Sequence, residues 1–335
     1  MRYRELGQSG ISASIIGLGG WGIGGWFWGG TDRREAGAAI QCALDKGVNF
    51  IDTAPLYGFG VSEQIIGKAV AGHRDEVILA TKCGLIWHEQ KGDFFFNAND
   101  RTMTRSDHDR SVFKYLEPDS IRRELEKSLK HLGTDYIDLY QTNWPDMTTP
   151  IEDTMATLLD LKQQGKIRAI GVCNVTRAQL VTYAGIGPVD AVQVKYSMID
   201  HEPERDLMPY SHTSGISVLA YSPLSRGLLT GKIDGDRKFG DGDGRWQQPR
   251  YSMENRRRAL AMLKEIEPVA REIELTLAQL VLAWTIAQPG VTHALVGMRG
   301  PSQAVENAQA AQVFLAAEQM SRIDQAIHHW ANEIE

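Results

Sequence analysis

Eight short apolar segments alternate with helix-like segments along this chain of 335 residues, and that alternation limits its possible folds more than any other feature. Each apolar segment is rich in Ile, Val, Leu or aromatic residues, as buried parallel strands are. Eight strands alternating with helices predict a parallel sheet that closes into a barrel with the helices outside. We therefore predict an α/β fold, a single (β/α)8 TIM barrel over residues 1–335. The predicted strands are Ile15–Leu18, Asn49–Asp52, Val77–Lys82, Tyr136–Gln141, Ile167–Val172, Ala191–Lys195, Ser217–Tyr221 and His293–Gly297.

The segments between the strands predict helices, one hairpin and two long loops. Residues 1–14 are expected to form an N-terminal hairpin over the barrel floor. Residues 84–117 and 223–253 are expected to be long loops on the C-terminal face, and loops of that length are usually functional. The predicted helices are Asp32–Lys46, Ser62–Val70, Asp119–His131, Ile151–Gln164, Thr176–Ala184 and Glu254–Ile273.

Composition argues against several classes of protein. The net charge of −6 is spread along the chain, whereas a nucleic-acid surface needs clustered Lys and Arg. Three cysteines lie far apart, which is typical of a reducing compartment and not of a disulfide framework. The N-terminal MRYRELGQSG has no apolar core of a secretory signal. The longest apolar helix that the sequence predicts, near Leu277–Ala287, is too short to span a bilayer. We therefore expect a cytoplasmic protein without membrane or nucleic-acid partners.

No residue pattern predicts a metal site. The acidic segment Asp234–Asp243 does not fit a calcium loop, because Lys238 and Phe239 stand where Asp or Asn and Gly are needed. The histidines show no metal-ligand spacing, so no metal cofactor is expected. The histidines considered are His88, His108, His328 and His329.

Polar residues gather at the C-terminal ends of the predicted strands, while the strand interiors are nearly all apolar. One polar strand end is common, because the chain leaves the core there. Six polar ends at corresponding positions indicate an active site, since barrels build theirs on this face. The residues at these ends are Asp52, Lys82, Asn143, Cys173, Asn174, Gln193, Lys195 and Ser222.

Several segments, in order and at the expected spacing, resemble the aldo-keto reductase family. The resemblance covers nearly the whole chain and is greatest to bacterial members that act on small aldehydes, sugars or inositol-related compounds. It implies NADPH-dependent, reversible reduction of a small aldehyde, ketone or sugar carbonyl to the alcohol. The segments are Gly47–Ala54, Leu56–Gly58, Ala80–Lys82, Asp138–Gln141, Gly165–Arg168, Ile170–Val172 and Val296–Arg299, with Gln303, Glu306 and Asn307.

The resemblance implies that Asp52, Tyr57 and Lys82 are catalytic. Reduction of a carbonyl develops negative charge on its oxygen, which must receive a proton. A tyrosine with a pKa of about 10 holds a proton at neutral pH, and a nearby ammonium stabilises the phenolate that remains. A carboxylate on the adjacent strand compensates the buried ammonium. Taken singly, Tyr57 also fits an aromatic residue of a loop, Asp52 a helix cap and Lys82 a surface lysine.

Asn143 departs from the family pattern. The family usually has histidine here, within Gln-x-His-Trp-Pro-Asp, whereas this chain reads Gln141-Thr142-Asn143-Trp144-Pro145-Asp146. The same replacement occurs in relatives such as the β subunits of voltage-gated potassium channels. Asparagine cannot titrate, but its amide can donate to a carbonyl oxygen. We predict that Asn143 orients the substrate carbonyl. The alternative is a low-turnover NADP(H)-binding sensor or regulatory subunit.

The cofactor residues are also implied by the resemblance. Asn174 and Gln193 would hold the nicotinamide carboxamide, and Tyr221 would stack beneath the ring. The loop after the seventh strand would follow the pyrophosphate, and the C-terminal segment would surround the adenosine end. Residues 303–307 also fit an exposed helix face. The remaining predicted cofactor residues are Gly20, Trp21, Asp52, Cys173, Ser222, Pro223, Leu224, Ser225, Gly227, Lys232, Gly297, Arg299, Gln303, Glu306 and Asn307.

A Rossmann-type dehydrogenase is the other fold that the opening of the chain suggests. Gly17-Leu18-Gly19-Gly20-Trp21-Gly22 matches G-x-G-x-x-G after a predicted strand. A dinucleotide-binding βαβ unit needs a helix at once after this motif. The following residues 23–30 contain four glycines and do not read as a helix, so the barrel remains the leading interpretation.

Tryptophans fall on the loops of the predicted C-terminal face. Together with Tyr57, four of them are predicted to form the substrate pocket, since aromatic rings stack on carbohydrate; the alternative is a protein contact surface. The predicted pocket residues are Trp21, Trp28, Tyr57, Trp87 and Trp144, and Trp26 lies on the same loops.

Overall fold

The computed structural model describes residues 1–98 and 110–334 of the chain. Thirteen strands occur in these residues. They are β1 (Tyr3–Glu5), β2 (Ser12–Ser14), β3 (Ile16–Gly19), β4 (Phe50–Asp52), β5 (Ile78–Cys83), β6 (Leu85–Ile86), β7 (Asp93–Ala98), β8 (Arg110–Lys114), β9 (Ile137–Thr142), β10 (Ile167–Cys173), β11 (Ala191–Lys195), β12 (Ser217–Tyr221) and β13 (Val291–Gly297).

Eight of these strands form a closed parallel barrel, which confirms the predicted fold. The order around the barrel is β3, β4, β5, β9, β10, β11, β12 and β13, and β13 pairs again with β3. Each predicted strand is present, with ends within two residues of the prediction. Their side chains are almost entirely buried, because the inward face fills the barrel and the outward face packs on helices.

Helices connect the strands on the outside of the barrel. The six predicted helices are present, and so is the apolar helix predicted near Leu277–Ala287. Helices α1, α7, α10 and α11 are present too, although the periodicity did not predict them. The helices are α1 (Trp21–Gly24), α2 (Arg33–Asp45), α3 (Val61–Ala69), α4 (Pro118–Leu132), α5 (Ile151–Gln163), α6 (Arg177–Ile186), α7 (Leu207–Thr213), α8 (Met253–Glu272), α9 (Leu277–Ala287), α10 (Pro301–Gln309) and α11 (Ala317–Trp330).

Helix α4 illustrates how local sequence sets the boundaries. Glu117 caps its N-terminus by accepting from the Ser120 amide, and Pro118 takes the first helical position. Gly133 ends the helix with a φ of 65°, a conformation that glycine adopts at little cost. Ile121 and Leu125, one turn apart, are fully buried. The same apolar spacing holds the helix against the strands.

The N-terminal hairpin closes one end of the barrel, as predicted. β1 and β2 pair antiparallel. Leu6, Ile11 and Ala13 belong to the buried cluster that fills the barrel interior, together with Phe50 and Leu139. The opposite end, where the parallel strands finish, is therefore the open end.

The predicted loop at residues 84–117 differs from the structure. β6, β8 and β7 form a three-stranded antiparallel sheet above the barrel, which we call the insert sheet. A register shift between Phe94 and Phe96 hides the alternation that would have indicated a strand. Residues 99–109, including His108, lie outside the described residues.

The loop after β12 packs against the loop after β3. It contains three 3₁₀ segments, at Ser225–Thr230, Gly244–Gln247 and Pro249–Tyr251. The Gly29 amide donates to the Gly242 carbonyl at 3.1 Å, and the Gly244 amide donates to the Phe27 carbonyl at 2.9 Å. These two loops therefore meet above the open end of the barrel.

The Rossmann-type interpretation was wrong. After β3, helix α1 lasts only four residues and ends at Gly25, whose φ is 77°. The next helix begins at Arg33, so the glycine motif leads only into a helix of four residues, too short for the helix of a dinucleotide-binding unit. β3 pairs with both β4 and β13 in a closed barrel, whereas the dinucleotide-binding fold has an open sheet.

Within the residues described here, no helix is both long and apolar enough to cross a bilayer. The apolar helix α9 spans 11 residues. It is buried along nearly its whole length against the barrel. Its apolar character is explained by that packing.

Candidate active site

Asp52 and Lys82 form a buried ion pair at the open end of the barrel. They stand at the ends of the adjacent strands β4 and β5. The Lys82 Nζ donates to both Asp52 carboxylate oxygens, at 2.8 and 2.7 Å, and to the Thr53 carbonyl at 2.9 Å. The Lys82 side chain is 1% exposed and the Asp52 side chain is 4% exposed. A pair this deeply buried is stable only because each charge has the other.

Tyr57 lies next to this ion pair, on the side that faces the cavity. Its hydroxyl lies 3.4 Å from the Lys82 Nζ. Burial of the hydroxyl raises the pKa of Tyr57 to about 12, although the Lys82 charge pulls it down. Burial opposes the charge on Lys82, but the neighbouring Asp52 outweighs it, so the pKa of the ammonium lies above its usual value. At neutral pH the geometry therefore holds a protonated phenol beside an ammonium.

Two glutamines surround the Asp52 carboxylate. Gln141 Nε2 and Gln193 Nε2 donate to its Oδ1 at 3.1 and 2.8 Å. With Lys82, this oxygen accepts three hydrogen bonds, which replace the water that the buried carboxylate has lost. Gln193 was predicted from the resemblance, whereas no role had been inferred for Gln141.

Asn143 follows strand β9 and is held through its backbone. Its amide N–H donates to the Cys83 carbonyl at 2.9 Å, and its carbonyl accepts from the Asn174 Nδ2 at 2.9 Å. Only 8% of the residue is exposed. Its side-chain amide has no hydrogen-bond partner in residues 1–98 and 110–334, so the donor predicted for the substrate carbonyl is not engaged elsewhere.

A cavity of about 420 Å³ opens beside these residues, within the usual range for small-molecule and cofactor sites. Most of the predicted cofactor residues line it. Those that do are Gly20, Trp21, Asp52, Gln193, Tyr221, Ser222, Pro223, Leu224, Gly227, Lys232, Gly297, Arg299, Gln303, Glu306 and Asn307.

Cys173, Asn174 and Ser225, which were also predicted as cofactor residues, do not line this cavity. Cys173 is buried, with its Sγ 3.7 Å from Gln141 Oε1, because the end of β10 turns it into the barrel. Asn174 Oδ1 accepts from the Tyr221 hydroxyl at 2.9 Å. Ser225 is buried and holds the loop instead, because its carbonyl accepts from the Tyr251 hydroxyl at 2.9 Å.

Sequence reasoning missed three cations of the cavity wall, Arg226, Arg237 and Arg245. All three lie in the long loop after β12, whose length was the available signal. Arg226 has a φ of 51°, an uncommon conformation for a non-glycine residue and one found preferentially at functional sites. With Lys232 and Arg299 they give the cavity a cationic wall.

Arg299 also holds the loop after β3. Its guanidinium donates to the carbonyls of Trp28 and Gly30, at 3.1 and 2.6 Å. Its backbone amide donates to Gln303 Oε1 at 2.8 Å. Neither contact neutralises its charge, so the guanidinium remains able to attract an anion while its position is fixed.

The predicted tryptophan pocket is present only in part. Trp21 and Trp28 line the cavity, and the Trp21 ring is stacked at 6.3 Å from Tyr57. Trp87 and Trp144 do not line it. They lie under the insert sheet, where Trp87 packs on Phe59 at 5.0 Å and Trp144 on Phe95 at 5.1 Å. Both rings pack against the apolar cluster that includes Leu85, Ala98 and Val112 of the insert sheet.

Comparison with known proteins identifies the family to which the chain belongs. The model of the "Aldo/keto reductase family" matches residues 15–328. The chain is 40% identical over 322 residues to the NADH-specific methylglyoxal reductase of Escherichia coli, covering 94% of this chain and 95% of that protein. It is 39% identical over 306 residues to the aldo-keto reductase YhdN of Bacillus subtilis, covering 90% and 86%.

A solved structure shows that the similarity includes the three-dimensional fold. The glycerol dehydrogenase AKR11B4 from Gluconobacter oxydans superposes with a TM-score of 0.85 at 35% identity, covering 98% of this chain and 95% of that one. The chain belongs to the aldo/keto reductase family and is an oxidoreductase of that family.

Proposed function

We propose that this protein reduces a small aldehyde, ketone or sugar carbonyl to the alcohol with NADPH, reversibly, with Tyr57 as the proton donor. The observation that carries the proposal is the position of the Lys82 ammonium. It lies 3.4 Å from the Tyr57 hydroxyl and is bonded to both oxygens of Asp52. This arrangement stabilises negative charge on the Tyr57 oxygen as its proton leaves.

The residues of the cavity fit a nicotinamide dinucleotide. Arg226 and Arg299 line it, and neither has a carboxylate within ion-pair distance in the described part of the chain. Phosphate groups suit such guanidinium groups. We place the pyrophosphate along residues 222–232 and the adenosine end at Arg299, Gln303, Glu306 and Asn307. Gln193 would hold the carboxamide, and Asn174 would hold Tyr221, the ring predicted to stack on the nicotinamide, through the Tyr221 hydroxyl. The bound cofactor would supply the hydride to the carbonyl carbon.

The chain itself supplies the proton and stabilises the developing charge. Because its pKa is about 12, Tyr57 holds its proton at neutral pH and can donate it to the carbonyl oxygen. Lys82 stabilises the phenolate that is left, and Asp52 compensates the ammonium. The free amide of Asn143 donates to the same carbonyl oxygen and orients it. In the oxidative direction the phenolate takes the proton back.

A small substrate with oxygen-bearing carbons suits the wall of the pocket. Trp21 and Trp28 present ring surfaces to the cavity, which can stack on the carbon face of a sugar.

The relative named as NADH-specific makes the choice between NADPH and NADH part of the test. All three cysteines are free, which supports our placement of the protein in the cytoplasm.

A low-turnover NADP(H) sensor is the second candidate, and Asn143 is the observation that favours it. The sensor would bind NADPH and turn over carbonyl compounds slowly or not at all. The two proposals therefore differ in one measurement, turnover by protein that is known to bind the cofactor.

The test is Tyr57→Phe, assayed beside the parent with NADPH and with NADH on a panel of small aldehydes and sugars, by the absorbance of the reduced nicotinamide. We expect kcat to fall by about 10² or more, the usual contribution of a general acid, with NADPH affinity nearly unchanged. Tyr210→Phe, on α7 and outside the cavity, is the matched control and should keep full activity. Near-parental turnover by Tyr57→Phe would refute the assignment. Cofactor binding without turnover by the parent would favour the sensor.

A further inference from the structure

Gln141 is the buried polar residue of the site that the proposed reaction leaves without a role. It is fully buried on β9, in register with Lys82 on one neighbouring strand and with Gly171 on the other. A Cβ atom at position 171 would lie 2.7 Å from the Gln141 Cγ. The glycine on β10 therefore leaves the space that the Gln141 side chain occupies inside the barrel.

The hydrogen bonds around Gln141 join the ion pair to the cavity wall. Its Nε2 donates to Asp52 Oδ1 at 3.1 Å. Its Oε1 accepts from Gln193 Nε2 at 3.2 Å, while the same Gln193 nitrogen donates to Asp52 Oδ1 at 2.8 Å. Three side chains thus form a closed set of hydrogen bonds, and the Cys173 Sγ lies 3.7 Å from the same Gln141 Oε1.

This set fixes which way the Gln193 amide faces. Both N–H groups of Gln193 Nε2 are taken, one by Asp52 and one by Gln141. The reversed amide would place its oxygen against a carboxylate oxygen and another amide oxygen, where no proton is available. Gln193 Oε1 has no partner among the described residues, and Gln193 lines the cavity. Its oxygen is therefore the atom left to accept a hydrogen bond from a ligand.

We infer that Gln141 is a positioning residue, which holds the Asp52 carboxylate for Lys82 and keeps the Gln193 oxygen ready to accept from the carboxamide N–H of a nicotinamide ring. The inference rests on the proposed function, because it needs a nicotinamide in this cavity. Gln141 touches neither substrate nor cofactor and acts through two neighbours.

The two roles can be separated by substitution. Gln141→Leu removes both hydrogen bonds at similar volume. Gln141→Glu keeps an acceptor for Gln193 and replaces the neutral amide donor to Asp52 by a second carboxyl group. Gly171→Ala leaves every polar group in place and displaces Gln141 by steric contact. Gln164→Leu, an exposed position at the end of α5, is the matched control.

Binding is measured by calorimetry with NADPH and with 2′-phospho-ADP-ribose, the same molecule without the nicotinamide ring. NADH and ADP-ribose form a second pair, which makes the result independent of the 2′-phosphate. We expect Gln141→Leu and Gly171→Ala to raise the Kd for NADPH about five- to tenfold, the scale of one hydrogen bond. The Kd for the ring-free ligand should change less than about twofold. Gln164→Leu should match the parent with both ligands.

Gln141→Glu should bind NADPH within about twofold of the parent and lose about tenfold in kcat, because a second carboxyl now faces Asp52. Equal weakening of both ligands in Gln141→Leu, or unchanged NADPH binding, would overturn the inference. If Gln141→Leu does not fold, Gly171→Ala and Gln141→Glu decide the question. A parent that binds no nicotinamide cofactor would refute the proposed function instead, so the two failures are distinguishable.

Discussion

Replacing Lys82 by methionine tests the electrostatic role of the ion pair. Methionine keeps much of the length of the side chain and removes its charge. The ammonium lies 3.4 Å from the Tyr57 hydroxyl. At an effective dielectric of about 20, two unit charges at that distance attract by roughly 5 kcal/mol. If about half of the charge has developed on the Tyr57 oxygen in the transition state, roughly 2.5 kcal/mol is lost, and kcat should fall about 10²-fold.

The same substitution leaves Asp52 buried without its counter-ion. Asp52 is 3% exposed, and breaking a buried pair by removing one partner costs about 3–5 kcal/mol. A fall in activity by Lys82→Met alone would therefore mix lost catalysis with lost stability. The double variant Asp52→Asn/Lys82→Met removes both charges and retains two side chains of similar size.

Stability and catalysis should separate in this pair of variants. The free energy of unfolding, measured by urea titration, should fall by about 3–5 kcal/mol in Lys82→Met and recover most of that loss in the double variant. The value of kcat should stay about 10²-fold below the parent in both. The double variant is decisive: if it is stable and turns over like the parent, the charge on Lys82 does not assist Tyr57 and the reasoning is refuted.

Three further predictions concern the cofactor, the substrate and the core. Arg299→Ala should weaken NADPH binding about 10- to 100-fold and NADH binding less, since only NADPH offers a 2′-phosphate; equal losses would contradict this. Asn143→Ala should remove about 3 kcal/mol of transition-state stabilisation, which lowers kcat about 10²-fold, with NADPH binding intact. Asn143→His should add an ionisation near neutral pH to the pH profile of kcat. Burial lowers the pKa of His293 to about 4. The unfolded chain therefore binds more protons between about pH 6.5 and 4, and the free energy of unfolding should fall by about 3 kcal/mol over that interval. His293→Leu should flatten this slope, whereas His73→Leu, half exposed, should not.

The barrel was predictable because its signals are local. Strands such as Ala191–Lys195 and Ser217–Tyr221 were predicted with the bounds that the structure shows, since a buried parallel strand reads as a short apolar run. The juxtaposition of Asp52 and Lys82 followed from the rule that parallel strands end on one face. These inferences need no knowledge of the loops.

What the sequence did not indicate depends on contacts between distant residues. The insert sheet pairs β7 with β8 across residues 99–109, and Phe94, Phe95 and Phe96 show no alternation. The cations Arg226 and Arg245 could be assigned to the cavity only once the loop after β12 was seen to pair with the loop after β3. The direction of the pKa shift of Tyr57 was also not predictable, because burial acts against Lys82.

The structure gives a physical reason why the histidine position of the family can hold asparagine. Asn143 is held by its own backbone, between the Cys83 carbonyl and the Asn174 amide. Its place beside the site therefore does not depend on which side chain it carries. Asn174 in turn accepts from the Tyr221 hydroxyl, so the strand end that carries Asn143 is bonded to the wall of the cofactor cavity. A substitution at 143 should consequently change the chemistry presented to the carbonyl and leave the cavity in place, which is why the catalytic and the sensor proposals can be separated at this residue.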